Sequence, residues 1–421
     1  MLNKNNFGVI IIYIFLILLP LDYYITNVLF KGVQVISLWK EVFILLIVLC
    51  SLANIIKTGK LNINMPFMVM GLMGIYFLIT MLLSSNPSAS VIASRIYFEP
   101  LLLYMAVINF PAITRKEIFF VVRSITIEYG LISLYGLFQA FVLGQTFLEN
   151  YIFMTNTLDN SFYIAGNYGV LRVNGTFVSP LDFALYAGLL VIFRFCMYSE
   201  FKFNALEVIS IILILGGLMG TVTRSIILAL LVILLMFIVK KYDVIGITKA
   251  VFGCLLSLLL LLVFDNQFLK GIVTNQILNS IKSTLSGSDP SAVAHANALS
   301  GGLSLLGNNL NHWLFGLGLG HNGPRATQYF SNPNLVESSY YLMIFEVGIL
   351  GLFVYSMIYI FLFFNKPNGL YKNTVPYLTG LLLISYIFLP FVQSLPPILF
   401  YFLIVASIYR VQDDKIDAQV K

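Results

Sequence analysis

Apolar runs of roughly 20 residues recur from Phe7 to Arg410, joined by mostly short polar connections. A run of that length crosses the hydrocarbon layer as a helix, which satisfies its own backbone hydrogen bonds where no water is available. A hydrophobic share of 59% against 10% charged residues, with a mean hydropathy of +0.92, excludes an ordinary soluble domain. The expected fold class is all-α: a polytopic membrane protein of about twelve transmembrane helices with a large extracytoplasmic loop. Spans are expected near 7–29, 36–56, 65–84, 90–110, 118–143, 178–198, 205–222, 224–240, 247–264, 338–362, 376–392 and 395–410. The first is long, lacks a small-residue cleavage site and is followed by further spans, so it is read as a retained anchor. Residues 1–264 then hold spans 1–9 with a medium external loop at 145–177. Residues 265–337 form the large loop, and 338–421 hold spans 10–12 and a tail.

Charge in the connections orients these helices. One set of joints carries Lys4, Lys57 and Lys60, Arg115 and Lys116, Arg194 and Lys202, Lys240 and Lys241, Lys366 and Lys372, and Arg410 and Lys415. The alternate set is poor in positive charge, so the positive-inside rule puts both termini in the cytoplasm. Much of the net charge of +6 belongs to these joints, and it is no signal for nucleic acid. Cys50, Cys196 and Cys254 fall in or at the ends of apolar runs without metal-ligand spacing and read as small buried residues.

Two external segments are long: Gln145–Phe177 and the 73 residues from Asp265 to Glu337. The second is too polar to span, and its periodic stretch His295–Leu306 predicts an amphipathic helix at the membrane mouth. Long loops on one face of a helical scaffold are common homes for binding and catalysis. The cytoplasmic joints leave little room for a nucleotide-binding domain. No Gly-x-x-x-x-Gly-Lys-Ser/Thr loop occurs, and GLGLG at Gly316–Gly320 lacks the lysine and the strand that motif needs.

Four charged residues lie within or beside the spans on the outer side: Arg95, Arg172, Arg224 and Glu337. Arg95 in SRIYFEP has Glu99 one helical turn on, so it reads either as an internal ion pair or as the wall of an external cavity. Arg172 in LRVNGTF precedes span 6, with Asn174 beside Gly175 and Asp182 just inside the helix. Arg224 follows the minimal turn Gly220–Thr223 and must lie at the outer end of span 8, where it anchors to lipid phosphate or binds a substrate phosphate. Glu337 opens span 10, where the helix dipole favours an ionised carboxylate that can position or deprotonate a hydroxyl. Glu346, deeper in that span, needs a partner or water. The three histidines, His295, His312 and His321, all fall in the large loop, His321 after GLGLG and leading towards Arg325.

Several arginines at an outer boundary match the oxygens of a lipid-linked phosphate or pyrophosphate. They would stabilise charge on a pyrophosphate leaving group while Glu337 or a histidine activates an attacking sugar hydroxyl. Such a donor carries its own driving force, so neither ATP nor a nicotinamide is called for. RVNGTFVSP at Arg172–Pro180, TVTRS at Thr221–Ser225, HANALSGGLSLLGNNLNHWLFGLGLGHNG at His295–Gly323 and ESSYYLMIFEVGILG at Glu337–Gly351 together resemble the O-antigen polymerase and O-antigen ligase superfamily. The resemblance covers the architecture from about span 2 to span 12.

That resemblance implies an inverting, metal-independent membrane glycosyltransferase in the bacterial inner (cytoplasmic) membrane. It would join undecaprenyl-pyrophosphate-linked repeat units outside the cytoplasm, in lipopolysaccharide or capsule synthesis. Basic residues of the family would carry onto Arg172, Arg224 and Arg95 as catalytic residues. The residue types themselves add Glu337 and His321 as catalytic candidates and Arg325, Asn174, Asp182 and His312 as substrate-binding ones, with no metal. Implied partners are the lipid-linked glycans, membrane lipids, a chain-length regulator and a flippase, with no nucleic acid. Ligase-like members carry a histidine near the end of the large loop, where NLVESSYYL here has Glu337, which favours a polymerase. The alternatives are a ligase acting on lipid A-core and a polysaccharide transporter.

Overall fold

A computed structural model describes residues 7–153, 162–198, 201–241, 290–322, 326, 336 and 338–412, apart from positions 34, 83, 85, 165, 166, 366, 368–370 and 372. The expected ninth span at 247–264, Arg325, Glu337 and the tail beyond residue 412 lie outside the described residues. The described chain is mostly helical. Its order begins α1 (Phe7–Leu18), α2 (Trp39–Thr58), α3 (Met65–Leu82), α4 (Pro87–Val107) and α5 (Arg115–Phe138). Next come α6 (Pro180–Cys196), α7 (Ala205–Gly220), α8 (Arg224–Lys241), α9 (Pro290–Leu306) and the short α10 (Leu310–Phe315). The order closes with α11 (Ser339–Phe364), α12 (Thr374–Phe388) and α13 (Leu395–Tyr409).

Among the described residues, five helical stretches are long and apolar enough to cross a membrane: Ile36–Thr58, Met65–Leu82, Pro87–Val107, Arg115–Phe153 and Ser339–Phe364. Shorter apolar helices include Phe7–Leu21, Ala205–Gly220, Arg224–Phe237, Thr374–Phe388 and Leu395–Tyr409. The chain is a mostly α-helical, polytopic membrane protein. The periodic stretch at His295–Leu306 lies within α9, as a helix there was expected.

Several details depart from a purely α-helical reading, among them short π-helical stretches at Gln139–Leu143 and Leu148–Phe153. The first run is not one continuous helix: α1 stops at Leu18, a 3-10 turn covers Leu19–Leu21, and a π-helical stretch covers Tyr24–Leu29. Pro20 explains the break, because it offers no N–H and its ring crowds the preceding turn. Among the described residues two small strand pairs also form. Ile113–Thr114 runs parallel to Val411–Gln412, and Tyr163–Ile164 pairs antiparallel with Asn167–Leu171.

α6 is the axis of one half of the bundle. It packs against α5, α7, α8, α12 and α13, and only Leu181, Phe195 and Cys196 along it escape full burial. Small residues make the close packing feasible: a Cβ on Gly188 would sit 3.2 Å from Leu381 and 3.3 Å from Ile226. Arg194, expected among the loop charges, is instead buried in the last turn of α6, with 0% side-chain exposure. Its Nε donates to Glu207 Oε1 at 2.8 Å, its terminal nitrogens donate to the carbonyls of Phe201 and Lys202 at 3.0 and 3.3 Å, and Phe203 lies 4.3 Å from its charge. Glu207 also closes the N-terminal cap of α7 with Asn204. A buried ion pair persists only when its remaining donors and acceptors are satisfied in this way.

The connections sort to two ends. At one end Asn62 N–H donates to Asn109 Oδ1 at 2.7 Å, Ile113 N–H donates to Arg410 O at 3.0 Å, and Arg194 meets Glu207. This is the end that gathers Lys57, Lys60, Arg115, Lys116 and Lys202. At the other end Thr176 Oγ1 donates to Pro20 O at 2.6 Å and Ser90 Oγ donates to Leu319 O at 2.8 Å. Every described candidate site residue is on that second end.

Candidate functional site

The loop Leu171–Ser179 is drawn into the end of the bundle because glycines on two helices make room for it. A Cβ on Gly220 would stand 2.5 Å from Val173, and one on Gly136 would stand 2.9 Å from the Gly175 nitrogen. Gly175 itself takes φ +57, a left-handed conformation that glycine adopts without strain. Val173 N–H donates to Gly220 O at 3.0 Å, which fixes the loop on the α7–α8 turn.

Arg172 is held by that turn. Its Nε donates to Thr221 O at 2.6 Å and its Nη2 to Thr223 Oγ1 at 3.1 Å. Arg224 opens α8 immediately after the turn and is exposed. Burial, and then the neighbouring Arg224 charge, push the Arg172 pKa down to about 10, so it stays charged at neutral pH. Two arginines from elements far apart in sequence thus share one rim, close enough for the Arg224 charge to be felt at Arg172. Asn174 and Asp182 have a different place. Asn174 is buried and donates to Phe177 O at 3.2 Å. Asp182 is buried in the first turn of α6 and interacts electrostatically with Tyr129. Both support the loop from inside.

Arg95 is not part of this rim. Its Nε donates to Glu99 Oε1 at 2.8 Å, the pairing expected one turn apart, and it also pairs with Glu41 on α2. Alongside, Lys40 Nζ meets Asp22 Oδ2 at 2.6 Å and Trp39 donates to Asp22 Oδ1 at 2.9 Å. This row of ion pairs fastens α2 to its neighbours.

A second polar cluster surrounds a break in α11. Gly348 has φ 72 and ψ −178, so the helix ladder opens there. Leu317 N–H and Gly318 N–H donate to the carbonyls of Phe345 and Glu346 at 2.7 and 3.0 Å. The Tyr76 hydroxyl enters the opened ladder, donating to Val347 O at 2.7 Å and accepting from Gly351 N–H. Inserted groups of this kind are a recognised cause of helix breaks. The fit is tight from both sides: a Cβ on Gly316 would stand 2.4 Å from the Glu346 carbonyl carbon, and one on Gly348 would stand 2.2 Å from Leu314 O. The GLGLG run is therefore the seat of the large loop on the bundle.

Glu346, 0% exposed, ties that seat together. Tyr97 Oη donates to it at 2.5 Å, Gly320 N–H at 3.0 Å and Gln393 Nε2 at 3.4 Å, and Asn322 N–H joins them. The loop thereby carries His321 to a position beside His312 of α10. Burial first, and His312 second, push the His321 imidazole below its ordinary value. His312 Nε2 lies 3.3 Å from Asn309 Nδ2.

The two clusters are separated by α12, which packs on α8 on one side and α11 on the other. Two helix spacings put them roughly 16–20 Å apart. Between them, Ser338 Oγ donates to Tyr386 O at 3.2 Å and Ser339 Oγ to Leu389 O at 2.7 Å, so the entrance of α11 is pinned on the outer end of α12. Among the described residues no three His, Cys, Asp or Glu side chains converge as a metal site.

Sequence reasoning passed over Tyr76, Tyr97, Asn322 and Gln393, none of which carries a charge to draw attention inside a span. It also passed over Glu128 in α5, whose buried carboxyl oxygens accept no hydrogen bond and which interacts electrostatically with Tyr186. A lone carboxylate in SITIEYGL was a usable signal. No protein-family model matches the chain, and no curated protein matches it.

Proposed function

We propose that this chain is a membrane glycosyltransferase of the bacterial inner membrane that joins undecaprenyl-pyrophosphate-linked oligosaccharide repeat units at the extracytoplasmic face. In this reading it has about twelve spans with both termini cytoplasmic, as the lysine- and arginine-bearing joints at one end favour. The observation that carries the reading is the juxtaposition of Arg172 and Arg224 on the opposite rim. Bringing a second like charge near the largely buried Arg172 costs free energy that a multiply charged anion offsets. A pyrophosphate on a lipid arrives at that depth.

The reaction balances without a further reactant. An acceptor hydroxyl oxygen attacks the anomeric carbon of the donor, and the bond from that carbon to the pyrophosphate oxygen breaks. The lipid pyrophosphate leaves with the electron pair, its charge stabilised by Arg172 and Arg224. The hydroxyl proton passes to a base, for which Glu337 and His321 are the candidates. Partners would be the lipid-linked glycans, with a chain-length regulator and a flippase.

Reconstitution with one authentic lipid-linked repeat unit, no nucleotide and no metal, tests the proposal. A ladder of glycan lengths is expected, lost in Arg172→Ala and Arg224→Ala proteins that keep the wild-type thermal midpoint. Single transfer to lipid A-core alone would make it a ligase. One observation favours a transporter instead: the break at Gly348 resembles the interrupted helices that line transport sites. Movement of the lipid-linked unit across a vesicle, with no change in its length, would decide for that reading.

A further inference from the structure

Outside the arginine rim, one small region concentrates polar groups that the fold leaves unmatched. Asn322 is 0% exposed, yet neither atom of its side-chain amide has a hydrogen-bond partner. Gln393 Oε1, also buried, has none. The two residues are neighbours, because Gln393 Nε2 lies 3.5 Å from Asn322 O while it reaches Glu346 at 3.4 Å. His312 Nδ1 on adjacent α10 is buried and unmatched as well.

Leaving a buried amide unmatched costs about 1–3 kcal/mol, so such groups call for a specific explanation. Backbone geometry alone does not supply it. The loop is already held by its main chain, through Leu317, Gly318, Gly320 and Asn322 N–H, and the Asn322 side chain adds nothing to that hold. An apolar residue would serve the seat better. The side chain is therefore free to act on something else.

We propose that Asn322 and Gln393 form a subsite for a neutral sugar ring of the acceptor glycan. The chemistry of the groups selects that class. An asparagine amide offers a donor and an acceptor side by side, and Gln393 Oε1 adds an acceptor. A ligand that meets both kinds must itself donate and accept from adjacent atoms, as vicinal hydroxyls do. The argument holds whichever way the amide is turned, since both of its atoms are unmatched. A phosphate is disfavoured, because neither amide brings the positive charge that its oxygens call for.

Naming the ligand as acceptor glycan rests on the transferase reading above. The subsite lies beyond α12 from the arginine rim, further than a single ring reaches. It would therefore hold a sugar away from the reacting end and set the register of the incoming chain.

The test is saturation-transfer difference NMR on the full chain in nanodiscs, with glucose, galactose, mannose, rhamnose and N-acetylglucosamine as probes. At least one should bind saturably, and Asn322→Ala and Gln393→Ala should each weaken it at least tenfold. Asn322→Leu should abolish binding while keeping or raising the thermal midpoint, because it removes an unmatched amide at nearly constant size. Absence of binding by every probe, or unchanged affinity in Asn322→Ala, would overturn the subsite. A lower midpoint in Asn322→Leu would do the same, by making the residue structural. Polymer formation is scored separately: sugar binding without polymer defeats the transferase reading and leaves the subsite standing.

Discussion

Replacing Gly348 with alanine isolates the contact on which the large loop is seated. With φ 72 and ψ −178, Gly348 occupies a backbone region that is essentially reserved for glycine, and an alanine forced into it costs about 1–3 kcal/mol. Its Cβ would also stand 2.2 Å from Leu314 O, 2.3 Å from Leu314 C and 2.5 Å from Phe315 N. These are backbone atoms and cannot rotate aside, so α10 must move, at an overpacking cost of about 1–3 kcal/mol. Together the destabilisation is about 2–6 kcal/mol. At roughly 2 °C per kcal/mol for a long chain, the thermal midpoint in detergent should fall by about 4–12 °C. Trp313, one residue before Leu314, gives a local signal, and its emission should change with the mutation. Gly71→Ala in α3 is the matched control: nothing lies within 4 Å of its Cβ, and alanine gains up to about 1 kcal/mol of helix propensity. A Gly348→Ala protein with an unchanged midpoint and unchanged Trp313 emission would refute the seating of the loop in the helix break.

Glu207→Ala should destabilise the fold by about 3–5 kcal/mol, because it strands the Arg194 charge in a fully buried site; chemical denaturation measures it, and a loss under 1 kcal/mol would contradict the pair. Tyr76→Phe should cost about 1–3 kcal/mol by leaving the Val347 carbonyl and Gly351 N–H unbridged, read as faster hydrogen exchange in α11. His321 is held below its ordinary value of about 6.5, so it contributes stability above that pH and loses it as pH falls towards its folded value. If it accepts the transferred proton, activity persists below pH 6.5, and His312→Ala moves the acid limb upward; an unmoved limb would exclude His321 as the base.

How much was legible depends on the distance over which each feature is determined. The place of Arg224 followed from chain connectivity, because Gly220–Thr223 is too short to put it anywhere but the mouth of α8. The Arg95–Glu99 pair followed from helical spacing, whereas Glu41 comes from another helix and no local rule reveals it. The meeting of Arg172 with the turn before Arg224 is likewise tertiary, created by the room that Gly136 and Gly220 leave. GLGLG could be excluded as a phosphate loop from its missing lysine, but its actual use depends on a helix break nearly thirty residues away. Arg194 was misread for a similar reason. Its charge fitted the orientation rule, while its burial depends on the carbonyls of the following turn.

The enclosure of α6 has a consequence for biogenesis. The helix is made well before two of the walls around it, α12 and α13, which follow it by more than a hundred residues along the chain. Until then Tyr186, which meets Phe400 of α13 at 4.3 Å, and Gly188, which meets Leu381 of α12, face lipid or a chaperone. The bundle therefore cannot mature from its N-terminus onward as a series of finished hairpins. A chain released early would present an unclosed cleft along α6, a mark by which membrane proteases can distinguish incomplete molecules from finished ones.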